Sequence, residues 1–278
     1  MDIVPGLPQG KALDILQSAP ILNFSSHLTG TGDYRETADS EVVIITSGLP
    51  RKPGMTRDQL LQANMKIVAE VTRNVVNYSP KCVIVTVTNP LEAMTYLVIQ
   101  TSEFPRSRVV GLSGVLDAAR FSSFIAAELK VSPAEVSACV LGSHSKNMVV
   151  IPRLTTVKGR PVTDILPKET IDRLVARTVE GGSEIVGLLK TGSAFYAPSA
   201  AATRMAEAII LDKKEILPCA AYLDGEYGIK DTVIGVPVKL GRNGIEQIIQ
   251  LELTKEERQA LADSAKGVQE LVRAMKSG

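Results

Sequence analysis

The sequence contains few histidines and few cysteines. Its two histidines are His27 and His144, so one chain cannot build a metal site from several imidazoles. Its three cysteines, Cys82, Cys139 and Cys219, lie far apart and include no C-x-x-C pair. An odd and sparse cysteine count is typical of proteins from reducing compartments rather than of disulfide-bonded scaffolds. We therefore expect a cytoplasmic protein with neither a metal centre nor a disulfide framework.

The sequence also lacks an excess of charge, a long apolar run and a recognisable leader. Its 31 Lys and Arg against 30 Asp and Glu give a net charge of +1, which is no electrostatic signature of nucleic-acid or membrane binding. No run approaches the roughly 18 apolar residues of a membrane helix. The first residues do not join a basic start to an apolar stretch, as a signal peptide does. We expect neither nucleic acid nor membrane as a partner.

The first part of the chain alternates apolar strand patterns with helical patterns. Strands are predicted over 41–47, 82–87 and 108–112, and helices over 58–78 and 91–100. The strand runs are continuously apolar, which predicts a parallel sheet buried on both faces. Ligands of such sheets bind at the carboxyl ends of the strands. Here those ends are three polar or glycine-containing turns, at 46–48, 88–90 and 112–114.

The pattern changes near residue 115. Helices are predicted over 118–129, 168–190 (with a kink or break at Gly181-Gly182), 198–211 and 256–275, and strands over 136–141, 216–223 and 233–240. The last two strands are predicted to be antiparallel. We therefore expect two domains, residues 1–115 and residues 116–278, of which the second is α+β.

Six polar residues stand near the predicted strand ends and could form one site. A guanidinium binds a carboxylate through two parallel hydrogen bonds, so several arginines around a crevice indicate a small dianionic substrate. An imidazole beside a carboxylate is a general acid and base, because the anion favours the protonated ring. The six residues are Arg51, Arg57, Asn89, Asp117, Arg120 and His144.

Each of these residues also has a simpler interpretation when it is taken alone. Arginines on an exposed loop are usually only solvated, and a single histidine after a strand is usually structural. Asp117 at a helix start could be an N-cap, and Asn89 before Pro90 could only turn the chain. Only their order and spacing make a functional site the stronger interpretation.

That order resembles one family. The segments that carry the resemblance are DIVPGLPQGKALD (2–14), TSGLPRKPGMTRDQLLQAN (46–64), VTNPLEAMTYL (87–97), GLSGVLDAARF (111–121), GSHSKNM (142–148) and LLKTGSAFYAPSAA (188–201). They resemble the lactate/malate dehydrogenase superfamily, most nearly its lactate-dehydrogenase-like malate dehydrogenases. The resemblance implies an α/β fold, with an incomplete Rossmann-type parallel sheet followed by an α+β catalytic domain. It also implies NAD as cofactor, a malate or oxaloacetate substrate, and a homo-dimer or homo-tetramer.

The resemblance also implies a role for each matching residue. His144 would be the proton donor and acceptor, with Asp117 as its orienting carboxylate. The substrate would be bound by Arg120 at its C1 carboxylate, by Arg57 at its carbonyl, and by Arg51 at its distal carboxylate. Asn89 would lie at the carbonyl oxygen and the nicotinamide ribose. The implied cofactor-binding residues are Asp2, Asn64, Val87 and Asn89.

The sequence departs from the family pattern at its start. A dinucleotide-binding unit begins with a strand, a G-x-G-x-x-G turn and a helix, and the sequence predicts that this N-terminal unit is lacking. The predicted strand over 41–47 would then have an unpaired edge. In LTGTGDYRE (28–36), Gly30 and Gly32 are a weak candidate for a phosphate loop and otherwise indicate a turn that closes a strand. The alternative functions are therefore a non-catalytic remnant that has lost NAD binding, and a 2-ketoacid reductase of different specificity.

A second departure lies beside the proposed proton donor. The family usually has Gly-Asp directly after the catalytic histidine, whereas this chain has Ser145 and Lys146. A cation near an imidazole disfavours the imidazolium. We therefore expect Lys146 to lower the pKa of His144 and to oppose Asp117.

Overall fold

The computed structural model describes residues 1–49 and 57–276, without the side chains of Arg57 and Asp58. Their helices are α1 (Leu7–Gln17), α2 (Ala19–Leu22), α3 (Arg57–Tyr78), α4 (Leu91–Ser102), α5 (Gly114–Leu129), α6 (Lys168–Leu189), α7 (Tyr196–Ile210) and α8 (Lys255–Lys276). Their strands are β1 (Val42–Ile45), β2 (Val83–Thr86), β3 (Val109–Gly111), β4 (Val136–Ser137), β5 (Val140–Gly142), β6 (Met148–Val150), β7 (Thr156–Val157), β8 (Arg160–Pro161), β9 (Glu215–Asp224), β10 (Lys230–Gly241) and β11 (Gly244–Ile248).

One sheet runs through both predicted domains. Its strand order is β1-β2-β3-β9-β10-β5-β6, and β11 also pairs with β10. The first three strands are parallel, as predicted, whereas β9, β10, β5 and β6 are antiparallel. The two halves are joined where β3 pairs with β9 at Gly111 and Ala220. The expected α/β class, with a parallel sheet followed by an α+β region, is confirmed, and a small sheet of β4, β7 and β8 lies apart.

The edge strand β1 is less buried than its apolar sequence predicts. In β2, all four residues are buried, as expected for a strand covered on both faces. In β1, Ile45 is buried but Ile44 is 39% exposed. Among the described strands β1 pairs only with β2, so the expected open edge is present, and the prediction of burial on both faces is wrong for this strand. The reason is that β1 has a neighbouring strand on one side only.

Other predicted elements differ in detail. The predicted kink or break at Gly181-Gly182 does not end the helix, since α6 continues through both glycines. The predicted strand over 136–141 is divided between the two sheets, because the Cys139 N–H bonds to Thr155 Oγ1 at 3.1 Å instead of to a neighbouring strand. The helices α1 and α2 were not predicted, since their apolar residues form no clear stripe and several are exposed.

The glycines at 30 and 32 do not close a strand. No strand precedes them among the described residues 1–29. Gly30 instead lies against the Pro8 carbonyl of α1, where an added Cβ would collide. The short 3₁₀ turn that follows, Tyr34–Thr37, is capped by the acidic side chain of Asp33, which disfavours an anion there.

Within the described residues, no helix combines the length and the apolar character that crossing a membrane requires.

Candidate active site

His144 lies at the tip of the hairpin formed by β5 and β6. The two strands pair from Val140 with Val150 to Gly142 with Met148, which leaves residues 143–147 as the connecting turn. Gly142 has a φ of 85°, a left-handed conformation that glycine adopts without steric cost. The turn closes where the Met148 N–H bonds to the Ser145 carbonyl at 3.1 Å. The hairpin thus presents the imidazole beyond the strand ends.

The structure brings His144 together with Asp117 and Arg120 of α5. His144 Nδ1 lies 2.8 Å from Asp117 Oδ2. Arg120 Nη1 donates to the other carboxylate oxygen, Asp117 Oδ1, at 3.3 Å. Because Asp117 and Arg120 are three residues apart, they share one face of the helix. The predicted convergence of these three side chains is confirmed.

Asp117 is not the N-cap that its position suggested. The helix α5 begins at Gly114 with Ser113 as its N-cap, so Asp117 lies within the first turn. There the positive end of the helix dipole favours a carboxylate. Asp117 is 1% exposed and is bound on both oxygens, which fixes the orientation of the imidazole.

The surroundings raise the pKa of His144. Burial is the largest influence and favours the neutral ring, but the charge and hydrogen bond of Asp117, together with the charge of Glu92, outweigh it. Arg120 opposes protonation more weakly. Nδ1 is held by Asp117, so Nε2 is the ring nitrogen left to exchange a proton with a ligand.

The sequence did not single out Glu92, a buried acid on α4. Its Oε1 accepts the backbone N–H of His144 at 2.6 Å and the hydroxyl of Ser113 at 3.3 Å. Burial raises its pKa, and the hydrogen bond from the His144 backbone opposes that shift. In the sequence, Glu92 stands out only as a single acid within an apolar run. An acid in the first turn of a helix interacts favourably with the helix dipole, so its position there did not indicate a site.

Arg120 is arranged to bind an anion. Its side chain is 13% exposed, and its Nε is a buried donor without a partner among the described residues. The guanidinium lies against Gly181 and Gly182 of α6, where ideal Cβ atoms would stand 3.2 Å from Cδ and 3.6 Å from Nη2. Gly181 therefore makes room for this side chain, whereas a Cβ at Gly182 would only be in ordinary van der Waals contact with it.

Hydroxyl groups hold the His144 turn to α8. The Ser143 N–H donates to Ser264 Oγ at 2.9 Å, and the two hydroxyls lie 3.1 Å apart. Ser143 Oγ also bonds to Ser145 Oγ at 2.7 Å. Ser264 is 1% exposed, so this network is shielded from solvent.

Lys146 does not act on His144 as expected. The pKa of His144 is raised, and Lys146 is not among the groups that shift it. Instead, Lys146 Nζ lies 2.9 Å from Glu180 Oε1 of α6, with its side chain 70% exposed. An exposed, paired ammonium exerts little field on the imidazole, so the expected depression of the His144 pKa is wrong.

The predicted strand-end turns also meet. Asn64 Oδ1 accepts the Leu49 N–H at 2.7 Å, and its Nδ2 donates to the Asn89 carbonyl at 2.8 Å. Thr88 Oγ1 donates to the Ser47 carbonyl at 2.8 Å. Glu92 follows Asn89 by three residues and contacts the His144 turn, so these turns and the His144 cluster adjoin one another.

The remaining predicted residues are placed as follows. Val87 follows β2 and donates its N–H to the Ile45 carbonyl at 2.9 Å. Asp2 donates its N–H to the Thr31 carbonyl at 3.1 Å and accepts the Val4 N–H on its carboxylate at 2.9 Å. No contact joins Asp2 to the His144 cluster within the described residues. Arg51 and the side chain of Arg57 lie outside the described residues.

A cavity of about 460 Å³ lies elsewhere, at the amino ends of β1 and β2. Its lining includes Glu41, Lys81, Ile209 and Arg242, and none of the residues of the His144 cluster. The chemistry described above is therefore at the opposite ends of these strands.

Family comparisons cover nearly the whole chain. The family model described as lactate/malate dehydrogenase, NAD binding domain, matches residues 1–111. The model described as lactate/malate dehydrogenase, alpha/beta C-terminal domain, matches residues 114–278.

Named relatives agree with these models. The chain is 53% identical to a malate dehydrogenase of Dehalococcoides mccartyi, over 99% of this chain and 90% of that protein. It is 53% identical to a malate dehydrogenase of Thermomicrobium roseum, over 99% of this chain and 89% of that protein. The chain covers 90% and 89% of these two relatives, so these matches do not support the predicted loss of the N-terminal unit.

Solved structures show the same fold. The malate dehydrogenase of Salinibacter ruber superposes with a TM-score of 0.95 at 49% identity, covering 99% of this chain and 88% of that one. A lactate dehydrogenase of Cryptosporidium parvum, solved with lactic acid and nicotinamide adenine dinucleotide, gives 0.95 at 38% identity, covering 100% of this chain and 89% of that one.

Proposed function

The chain belongs to the lactate/malate dehydrogenase family, and we propose that it interconverts malate and oxaloacetate with NAD(H). The observation that carries this proposal is the His144–Asp117–Arg120 cluster. It joins a proton-exchanging imidazole to a guanidinium with an unused buried donor. A 2-ketoacid needs both groups at one place, since its carboxylate is adjacent to the carbonyl that is reduced.

His144 supplies the proton in this proposal. Asp117 holds Nδ1, and Nε2 donates to the carbonyl oxygen of oxaloacetate as the alcohol of malate forms. In the oxidation of malate, the same nitrogen accepts the hydroxyl proton. A raised pKa keeps the ring protonated to higher pH, which favours the reduction direction.

Arginines bind the two substrate carboxylates. Arg120 would take the C1 carboxylate through two parallel hydrogen bonds, and this would also satisfy its buried Nε–H. Arg57 would polarise the carbonyl, and Arg51 would bind the distal carboxylate and select oxaloacetate over pyruvate. A methyl group in place of that carboxylate would leave a desolvated guanidinium unpaired.

The described residues fit the nicotinamide half of NAD. Asn64, which is 2% exposed, holds together the turns at the carboxyl ends of β1 and β2 by bonding to the Leu49 N–H and the Asn89 carbonyl. Ligands of parallel sheets bind at such an edge. We propose that Asn64, Val87 and Asn89 line the cofactor site and that Asp2 contacts the adenosine ribose. When bound, NADH supplies the hydride.

The decisive experiment follows NADH absorbance in the full chain with saturating oxaloacetate or pyruvate. Oxaloacetate-dependent oxidation at a higher kcat/KM than with pyruvate is expected. No oxidation with either acid in folded protein would contradict dehydrogenase activity and favour the non-catalytic alternative. A higher kcat/KM for pyruvate would overturn the role of Arg51 and favour a 2-ketoacid reductase of different specificity.

We further propose a homo-dimer or homo-tetramer in the cytoplasm, divided near residue 115 into a cofactor-binding and a catalytic domain. Exposed apolar side chains support self-association, because contact with a second copy would remove large apolar groups from water. They lie on α1 and α2 and where α6 leads into α7: Leu13, Ile15, Ile21, Leu188, Phe195 and Tyr196 are each more than half exposed.

A further inference from the structure

One short stretch of α6 contacts both sides of the proposed catalytic cluster. Gly181 and Gly182 lie against the side chain of Arg120. The residue before them, Glu180, pairs with Lys146 at 2.9 Å. Lys146 follows His144 by two residues in the turn between β5 and β6. Residues 180–182 thus bridge the carboxylate-binding arginine and the turn that carries the proton donor.

We propose that Glu180 is a positioning residue: by pairing with Lys146, it ties the His144 turn to the helix behind Arg120 and neutralises the charge of a lysine two residues from His144. This inference deepens the proposed function, and its kinetic part rests on it.

The charges around His144 explain why this pairing matters. Asp117 of α5 and Glu92 of α4 favour the imidazolium, whereas Arg120 of α5 disfavours it. Lys146 lies in the same turn as His144. If it were unpaired, it would be a second cation, after Arg120, that disfavours the imidazolium. The hydrogen bond and charge of Lys146 lower the pKa of Glu180, so this partner remains a carboxylate throughout the neutral range.

The pair is exposed, and this determines which effects to expect. The side chains of Lys146 and Glu180 are 70% and 48% exposed. Exposed ion pairs contribute little to global stability. Loss of Glu180 should therefore leave the unfolding transition almost unchanged while it alters the ionisation of His144. This separates the proposed role from a merely structural one.

The two-histidine composition permits a direct measurement of that ionisation. In the full chain, NMR titration of imidazole signals gives one curve each for His27 and His144, and His27→Gln assigns them. The variants are Glu180→Gln, Lys146→Gln and the double variant. The matched control is Glu184→Gln, which removes another paired carboxylate from the same helix, bound to Arg177 at 2.7 Å.

Glu180→Gln should lower the pKa of His144 measurably but by at most about 0.7 pH unit, because an exposed charge in the same turn couples to the imidazole by no more than ~1 kcal/mol. The double variant should return the His144 titration to that of the wild type, because it removes both charges. Glu184→Gln should leave it unchanged. A Glu180→Gln titration identical to that of the wild type, or a double variant that retains the full shift, would overturn the proposal.

Kinetics supply the second measurement. In Glu180→Gln, kcat/KM for oxaloacetate should begin to fall at a lower pH than in the wild type, and 0.5 M salt should reduce the difference. If the wild type does not turn over oxaloacetate, the proposed function fails, while the NMR titration still decides the role of Glu180. If the wild type turns over but neither measurement shifts in Glu180→Gln, only the present inference fails.

Discussion

Asp117 favours the protonated form of His144. Its charge and hydrogen bond raise the imidazole pKa against the effect of burial. Reduction of oxaloacetate requires the protonated ring, so kcat/KM should fall as the pH rises through this raised pKa. Asp117→Asn removes the stabilising charge and lowers the pKa, so the fall should begin at a lower pH. kcat should drop at least about tenfold, since general acid catalysis contributes roughly 10²–10⁴-fold.

A pH–rate profile of oxaloacetate reduction measures this effect. The matched control is Asp172→Asn, which removes an exposed carboxylate of α6 that pairs with Lys168. Its profile should coincide with that of the wild type. If Asp117→Asn also retained the wild-type profile, Asp117 would not be the partner that sets the ionisation of His144.

Gly181 leaves the space that the Arg120 side chain occupies. An added Cβ would stand 3.2 Å from Arg120 Cδ, so Gly181→Ala must displace the guanidinium by a few tenths of an ångström. KM for oxaloacetate should rise roughly three- to tenfold, less than the ~100-fold that a 1 Å misplacement can cost. Steady-state kinetics measure the change. KM for NADH should not change.

The same helix offers a control for Gly181→Ala. Gly187 has no atom within 4 Å of an added Cβ, so Gly187→Ala tests the helix propensity of alanine alone. It should leave KM for oxaloacetate unchanged and stabilise the fold by about 1 kcal/mol. Equal KM values for the two alanine variants would mean that Arg120 does not depend on the space at Gly181.

The sequence identified the candidate acid–base and anion-binding residues better than the residues that hold them in place. His144, Asp117 and Arg120 have side-chain types that indicate acid–base chemistry and anion binding, and the structure brings them together. Glu92 and Ser264 act through backbone N–H groups of the distant His144 turn. Such contacts join residues far apart in sequence, so no local spacing reveals them.

At the scale of elements, α8 is part of the site although it contributes no reacting group. Ser264 is the acceptor for the buried Ser143 N–H at 2.9 Å. Ser264→Ala leaves this donor unpaired, which should reduce the free energy of unfolding by ~1–3 kcal/mol. Because Ser143 precedes His144, kcat should fall as well. Urea denaturation and kcat measure the two effects.

Ser123→Ala is the control for this substitution, since the exposed Ser123 hydroxyl bonds within its own helix, to the Ala119 carbonyl at 2.9 Å. Its stability should stay within about 0.5 kcal/mol of the wild type. A Ser264→Ala variant with wild-type stability and kcat would show that α8 does not hold the His144 turn.

Most elements could be predicted because their patterns are local. The helical period of α3 and the continuous apolar run of β2 each specify one element without reference to the rest. The division of the 136–141 run could not, because Cys139 leaves the strand for a hydrogen bond with Thr155, sixteen residues later. The exposure of β1 depends on its place at the sheet edge, which no property of its own sequence determines.

At the scale of the whole molecule, the exposed apolar groups should be covered by a second copy of the chain. Leu13 on α1 and Leu188 near the end of α6 are 55% and 75% exposed. Light scattering coupled to size exclusion should give two or four times the chain mass. Leu188→Glu and Leu13→Lys, which place charges in an apolar contact, should shift the protein towards the monomer.

Leu211→Glu is the control for this prediction. Leu211 is 60% exposed, but it follows the far end of the 15-residue helix α7, roughly 22 Å from the Tyr196 end at 1.5 Å per residue. It should therefore leave the assembly intact, although it introduces the same charge at a similarly exposed leucine. If the wild type is monomeric, or if all three variants dissociate alike, these side chains do not form a specific contact between copies. Dissociation by Leu188→Glu alone would place the contact at the end of α6, on the helix that also lies against Arg120.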